Sequence, residues 1–438
     1  MREGVYRNYL LLVLLGILAF NYQDRLALGL VMQDIKVDLD LSDTELGFLT
    51  GIAFAIFYSI MGLPIARWAD RGDRVQVIAV TTALWSGAVA ACGLASSFVQ
   101  LLLVRIGVAI GEAGCMPPAQ SLIASHFDRH ERPRAMAIYM LGGPISMVIG
   151  YFAAGWLNEL FGWRRMFLIL GPPGMLLAAL AWFTLRDPRR SGRFDAGAAT
   201  PTSSPASPPR LGDVIGVLSR NAAFRHLLLA ISVMYFFSFG IGQWKAAFFI
   251  RSYGLGTGEL GTWFAVIYGL GGIAGTYLGG AWASRAAGGN ERLQLKVMAL
   301  AYCAFAAVSS GIYLSPNRYW AFAFIAFAAV GGGMALGPLF ATIMTLVPER
   351  MRATATALIY FLANLVGMGL GPLAIGILSD ALRPWAGGES LRYALLLLCP
   401  GYCWTGWHLW RASRTVAADL AEAEANESSA IGAAQVRA

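Results

Sequence analysis

The fold class this sequence predicts is an all-α polytopic membrane protein, with twelve transmembrane helices in two pseudo-symmetric six-helix bundles. Three observations carry the prediction. First, 57% of the 438 residues are hydrophobic and 13% charged, with a mean hydropathy of +0.59, whereas a soluble chain needs about 25% charged residues to wet its surface. Second, the apolar residues gather into continuous runs of roughly 20, the length that crosses a bilayer, not the short alternating runs of a barrel. Third, basic residues crowd alternate loops, the asymmetry that holds loops on the cytoplasmic side. An ordinary soluble enzyme, a nucleic-acid-binding module and a disordered chain are excluded. The net charge of +8 and pI near 9.4 are topogenic, so no nucleic-acid partner is expected.

The spans run approximately over 9–33, 45–66, 75–97, 99–124, 134–157 and 164–185, then 223–250, 258–284, 294–314, 319–346, 352–379 and 391–411. The first run is too long and too charged for the apolar core of a signal peptide, so it is expected to remain as a span. Arg2 and Arg7 precede it. Arg67, Arg71 and Arg74 follow span two, and Arg129, Arg132 and Arg134 follow span four. Arg186, Arg189, Arg190, Arg193, Arg210, Arg220 and Arg225 lie between the halves. Arg285, Arg292, Lys296, Arg350, Arg352, Arg411 and Arg414 complete that side. The first opposite loop is acidic, with Asp34, Asp38, Asp40, Asp43 and Glu45 against Lys36. Both termini are therefore expected in the cytoplasm, and the chain in the cytoplasmic membrane.

The chain divides into four regions: residues 1–185 as the first bundle, 186–222 as a linker, 223–411 as the second bundle and 412–438 as a tail. The linker carries AGAATPTSSPASPP, a tract that cannot form a packed span. Leu211–Leu218 resumes an amphipathic pattern, expected as a short helix on the cytoplasmic leaflet. The tail is polar and expected to be partly disordered. The halves also echo each other. Arg132–Tyr139 and a following GGP match Arg350–Leu358 and GMGLGP. Gly62–Arg71 matches Gly279–Arg285, and Gln23–Arg25 lies opposite Gln243–Lys245. Such duplication suits a carrier whose halves rock about a central site.

Few ionisable residues fall inside spans: Asp24 and Arg25 in span one, Arg105 and Glu112 in span four, Lys245 in span seven. A charge at mid-bilayer costs about 2.5–3.5 kcal/mol even on the mild insertion scale, so these groups must face protein or water and pair. Asp24 lies roughly 13 Å from the outer end of its span, Arg105 roughly 9 Å and Glu112 roughly 20 Å. Arg105 and Glu112, seven apart, share a helix face. A fixed cluster locking two helices is one reading. Buried pairs often fail to recover their desolvation cost, so a switchable proton site is the better one.

Other features read more blandly. Gly271, Gly275 and Gly279, and Gly367 and Gly371, have the spacing of close helix packing. The aromatics of span seven, among them Phe239, Trp244 and Phe248, surround that helix, and one side of it is read as a cavity lining. The five cysteines have no CxxC spacing and read as small core residues, without a disulfide framework. His126 and His130 flank Asp128, but a solvated basic loop is the better reading than a metal site. No metal or cofactor is expected.

These residues resemble a known family. Twelve spans in two halves, with ADRGDR at Ala69–Arg74 after span two, are similar to the major facilitator superfamily. Its loop signature reads roughly G-x-x-x-D-R-x-G-R-K. Asp70, Arg71 and Arg74 match it, while Ala66, Asp73 and Val75 depart from it. Within that superfamily, FNYQDR (Phe20–Arg25), RIGVAIGEAG (Arg105–Gly114) and PPAQSLIASHF (Pro117–Phe127) resemble the spinster branch. The opening N-Y-x-D-R also resembles proton-coupled organic-anion symporters. The resemblance implies a secondary carrier working by alternating access, with protons as the coupling ion and lysophospholipid-like or sphingoid-type amphiphiles as substrate. It implies protonation at Asp24 and Glu112, with Arg25 and Arg105 as ion-pair partners. Asp70, Arg71 and Arg74 would form a conformational latch, Asp70 meeting the start of span eleven. The second-half counterpart of Asp70 is Ser284. Substrate contacts are expected at Arg25, Lys245, Phe239, Trp244 and Phe248. A small organic-anion symporter, a multidrug–proton exporter and a non-transporting sensor are the alternatives. An enzyme is disfavoured, because no intramembrane Ser/His/Asp set is visible. A monomer is expected.

Overall fold

The computed structural model describes residues 3–128, 130–191, 211–286, 290–348 and 351–437. Most of the linker tract, with Arg193 and Arg210, and also Arg129 and Arg350, lies outside the described residues. In chain order the helices are α1 (Glu3–Leu39), α2 (Asp43–Thr50), α3 (Ile52–Arg71), α4 (Arg74–Cys92), α5 (Phe98–Glu112), α6 (Met116–His126), α7 (Arg132–Met140) and α8 (Gly142–Thr184). There follow α9 (Leu211–Arg220), α10 (Ala222–Tyr253), α11 (Thr257–Ala286), α12 (Glu291–Leu314), α13 (Arg318–Leu346), α14 (Arg352–Ala363), α15 (Gly371–Ala386), α16 (Ser390–Leu398) and α17 (Gly401–Arg437). No strand occurs among the described residues.

Ten helical stretches among the described residues are long and apolar enough to cross a membrane. Two are double. Arg132–Thr184 holds 53 residues, roughly 80 Å if straight and more than twice a bilayer. Its backbone breaks at Gly162, whose φ of 78° is a conformation that only glycine adopts cheaply. The 68-residue stretch Thr354–Ala421 is interrupted in the same way at Gly387, φ 55°. Ten stretches, two of them double, give the twelve spans.

The chain condenses into two units. The first comprises Met1–Thr200, Gly240–Gly269 and Pro372–Arg392; the second comprises Pro201–Phe239, Leu270–Gly371 and Tyr393–Ala438. Compactness therefore does not follow the expected boundary between residues 185 and 223. The side on which α1 ends, at Leu39, is the distal side, and the side of the N-terminus is the proximal one. The distal parts of spans seven, eight and eleven belong to the first unit for chemical reasons. Arg251 grips the Asp43 carboxylate at 2.7 and 2.8 Å. Ser379 donates to the same carboxylate at 2.6 Å and Lys36 at 2.5 Å. The Asp380 carboxylate accepts from the backbone amides of Asp43 and Thr44 at 3.2 and 2.7 Å, satisfying the orphan amides that open α2. Trp156 donates to the Thr262 hydroxyl, and Gly155 meets the backbone of Thr257 and Gly261 so closely that a Cβ has no room.

The proximal half of the first unit is an apolar core of α1, α4, α6 and α7, including Leu10, Leu14, Ile78, Leu122 and Tyr139. Arg74 staples it from below. Its side chain is 1% exposed and donates to Asp187 at 2.5 and 2.9 Å, to the Ser121 carbonyl at 2.7 Å and to Ser125 at 2.6 Å. Asp73, standing where the family signature has glycine, caps α4 by accepting from the Val75 and Gln76 amides.

In the second unit, α11 and α13 pack through glycines as expected, Gly275 facing the Val330 carbonyl and Gly279 the Met334 backbone. The α9 helix runs over Leu211–Arg220, close to its expected range. Its apolar residues Val214 and Leu218 are buried, at 0% and 3% exposure, and the helix packs on α14. Part of its apolar face is thus buried against protein, while Ile215 on the same helix is 44% exposed. Between α14 and α15, Asn364–Leu370 is a π-helix; there Gly367 lies against Tyr235 and Phe236 with no space for a side chain. Two cysteines depart from the expected core placement: Cys92, Cys115 and Cys399 are buried, but Cys303 and Cys403 are exposed.

Candidate functional site

The four charges of spans one and four meet in the first unit, crossed between helices. Arg105 Nη1 lies 2.6 Å from Asp24 Oδ2. Arg25 Nε and Nη2 lie 2.7 and 2.5 Å from Glu112 Oε2. Each acid is thus paired with the base of the other helix, so α1 and α5 are joined by two bridges. The Asp24, Arg105 and Glu112 side chains are 3%, 2% and 0% exposed, whereas that of Arg25 is 19% exposed. Arg25 is the member of the four with an open side.

Local sequence explains how Glu112 reaches this position. The α5 helix ends at Glu112, and a turn over residues 113–115 precedes the Pro117–Pro118 start of α6. Gly111 and Gly114 let that turn press on α4. A Cβ on Gly111 would meet the Trp85 backbone at 2.6 Å, and one on Gly114 would meet Thr81 Cβ at 2.8 Å. Glu112 therefore sits at a helix C-terminus, where the macrodipole opposes a negative charge.

Aromatic rings complete the cluster. Phe54 of α3 lies under both guanidiniums, 4.7 Å from Arg25 and 5.2 Å from Arg105. Tyr58, stacked on Phe54 at 5.7 Å, lies 4.9 Å from Arg25. Sequence reasoning did not reach these two residues. Their i, i+4 spacing in the segment FAIFY is the available signal, but it is equally that of an ordinary apolar face. The hydrogen bonding is incomplete: Asp24 Oδ1, Glu112 Oε1 and Asn21 Nδ2 are buried without a partner in the structure. Each acid keeps one oxygen engaged and one orphaned, and the two carboxyl groups lie close enough to interact directly.

The remaining candidates are distributed otherwise. Lys245 is half-buried and donates to the Tyr268 hydroxyl at 3.0 Å, with its Nζ 5.4 Å from that ring; Tyr268 stacks on Tyr151. It is held by protein. Trp244 and Phe248, expected to line a cavity, are fully buried. Trp244 donates to the Pro372 carbonyl at 2.9 Å, and Phe248 packs edge-on against Phe249 and Tyr253. They are wall, not lining. Phe239 is 40% exposed. Asp70 and Arg71 are exposed at the end of α3. Arg74, expected with them in a latch, is instead consumed by Asp187, Ser121 and Ser125 within its own unit. No group of three or more His, Cys, Asp or Glu among the described residues could hold a metal ion.

Twelve spans and an intramembrane cluster of paired charges define a polytopic membrane transporter. The chain belongs to the Major Facilitator Superfamily, which its residues 14–385 match. It is 31% identical to an MFS-type efflux pump of Mycolicibacterium smegmatis, over 88% of this chain and 87% of that one. A crystal structure of a bacterial homolog to the human lysosomal transporter spinster, inward-facing and unoccupied, superposes with a TM-score of 0.82. Identity there is 28%, covering 94% of this chain and 98% of that one. Protein spinster homolog 1 of Rattus norvegicus is 27% identical over 56% of this chain and 46% of its own length.

Proposed function

We propose that the protein is a proton-coupled secondary carrier of amphiphilic lipids, of lysophospholipid or sphingoid type, working by alternating access in the cytoplasmic membrane with both termini in the cytoplasm. The observation that carries this reading is the crossed pair of bridges with one orphaned oxygen on each acid. A proton taken up on one of the two acids turns that carboxyl into a donor for the other, which lies close enough to accept it. It also removes one of the two negative charges, leaving two guanidiniums facing one. Arg25, the partly open member, then turns from Glu112 to an anionic headgroup. Loss of the proton restores the bridge and expels the headgroup. Burial makes each of these exchanges count, because an unpaired charge in the bilayer interior is costly.

The substrate class rests on likeness to spinster proteins and to an efflux pump, and on a second cation. Lys245 on its tyrosine shelf offers an ammonium to a phosphate, with aromatic rings for the chain. Asp70 and Arg71 retain the latch role in this reading. The test is flux in proteoliposomes, read by an internal pH dye, over a panel of lysolipids, sphingoid phosphates, cationic amphiphiles and small organic acids. Proton movement driven by phosphate-bearing amphiphiles is expected. Proton movement with the small organic acids alone would refute the lipid assignment. In the same panel Lys245→Glu is expected to weaken phosphate-bearing amphiphiles far more than amines of matched chain. Equal affinities in the variant and the parent would remove Lys245 from the site.

A further inference from the structure

Within the second unit, the start of α10 and the N-terminal part of α17 bring together a basic and aromatic cluster that the transport site does not use. His226 of α10 and His408 of α17 share a hydrogen bond, Nδ1 to Nδ1, of 3.1 Å. Trp407 stands edge-on to both, its ring 5.9 Å from His226 and 4.7 Å from His408. Arg225 and Arg411 both lie close enough to act electrostatically on His226, and the Arg411 guanidinium is 5.9 Å from the Trp407 ring. Both arginines are exposed, and neither is paired with a carboxylate among the described residues. The nearby Asp419 is engaged elsewhere, accepting from the Ala223 amide at 2.6 Å and so closing the start of α10. Arg414 lies over Trp410 at 3.6 Å, further along α17.

We propose that Arg225 and Arg411, beside the His226–His408 pair, form a binding site for the phosphate of an anionic glycerophospholipid. Two guanidiniums that no carboxylate among the described residues pairs with, held near two imidazoles, match a phosphodiester in charge and in the donors they offer. The apolar surroundings select a lipid over a free anion. Trp404, Trp407 and Leu229, 55%, 48% and 47% exposed, lie on the same two helices and offer apolar surface to an acyl chain. The histidine bond fixes α10 against α17, which sets the spacing of the two guanidiniums. Basic clusters between helices are suited to acidic headgroups.

Native mass spectrometry of the full chain, mixed with phosphatidylglycerol or phosphatidylcholine of matched chains, tests this without reference to transport. Phosphatidylglycerol is expected to be retained in preference. The Arg225→Ala/Arg411→Ala double variant is expected to lose that preference by roughly tenfold or more, a tenfold loss being about 1.4 kcal/mol. The Arg225→Lys/Arg411→Lys variant keeps the charge and is expected to retain much of it, which separates lost binding from lost folding. Equal retention of the two lipids, or an unchanged preference in the alanine variant, would overturn the site. Displacement of the lipid by inorganic phosphate at comparable concentration would overturn the lipid assignment.

Discussion

Arg74 and Arg25 are both arginines of the first bundle, yet their surroundings give them opposite tasks. Arg74 spends its donors on Asp187, Ser121 and Ser125 and is closed to solvent. Burial on its own would raise the Asp187 carboxyl, but hydrogen bonds from the Arg74 side chain and from the Arg74 and Arg189 amides bring it down to about 2. A depressed carboxyl stabilises the fold above its ordinary value near 4, and that contribution is lost as pH falls towards 2. Thermal unfolding in detergent is therefore expected to show a parent advantage over Asp187→Asn that is full at pH 6 and shrinks below about pH 4. An advantage independent of pH would refute the assignment. Arg74→Ala strands a buried carboxylate and is expected to cost about 3–5 kcal/mol. Asp24, Arg25, Arg105 and Glu112 were legible as a set because a charge stands out in an apolar run. Their crossed pairing was not, since it depends on the relative rotation of two helices that no local pattern encodes. For the same reason Phe54 was invisible: nothing in FAIFY distinguishes a ring beneath two guanidiniums from one facing lipid.

At the scale of elements, the spans and their order were readable from hydropathy and charge alternation, and α9 from its amphipathic pattern. What covers α9 was not readable, because Val214 and Leu218 would suit a leaflet or α14 equally well. The turn after Glu112 is the element on which the site depends, and glycine is required there for space. Gly111→Leu or Gly114→Val is expected to push α5 off Trp85 and Thr81, costing about 1–3 kcal/mol. Both bridges lengthen with it. Surface expression with a lowered unfolding temperature and lost transport is the expected result. Full transport in a stable Gly111→Leu protein would show that the close approach of α4 and α5 is dispensable. Trp244 and Phe248 mark the limit of composition: an aromatic-rich span predicts apolar contacts, but its buried and open faces appear only once Pro372 and Tyr253 are in place.

On the scale of the whole molecule, the first unit takes in distal pieces of spans from the second half of the sequence, and Asp43 is the hub that holds them. Its carboxylate gathers Arg251, Lys36 and Ser379, and Asp380 closes the start of α2 beside it. In a carrier that alternates, such a distal clasp must break in each cycle. Asp43→Asn is expected to broaden and lengthen spin-label distances between α2 and α15, and unchanged distributions would remove the clasp from the account. The central claim is that the acid pair Asp24 and Glu112 carries the coupling proton. The most direct measurement is substrate-driven proton flux in proteoliposomes containing the Asp24→Asn/Glu112→Gln double variant, with insertion and folding checked by size exclusion and thermal unfolding. A folded variant that moves no protons when substrate is added is the result this account predicts; proton movement at the parent rate would contradict it.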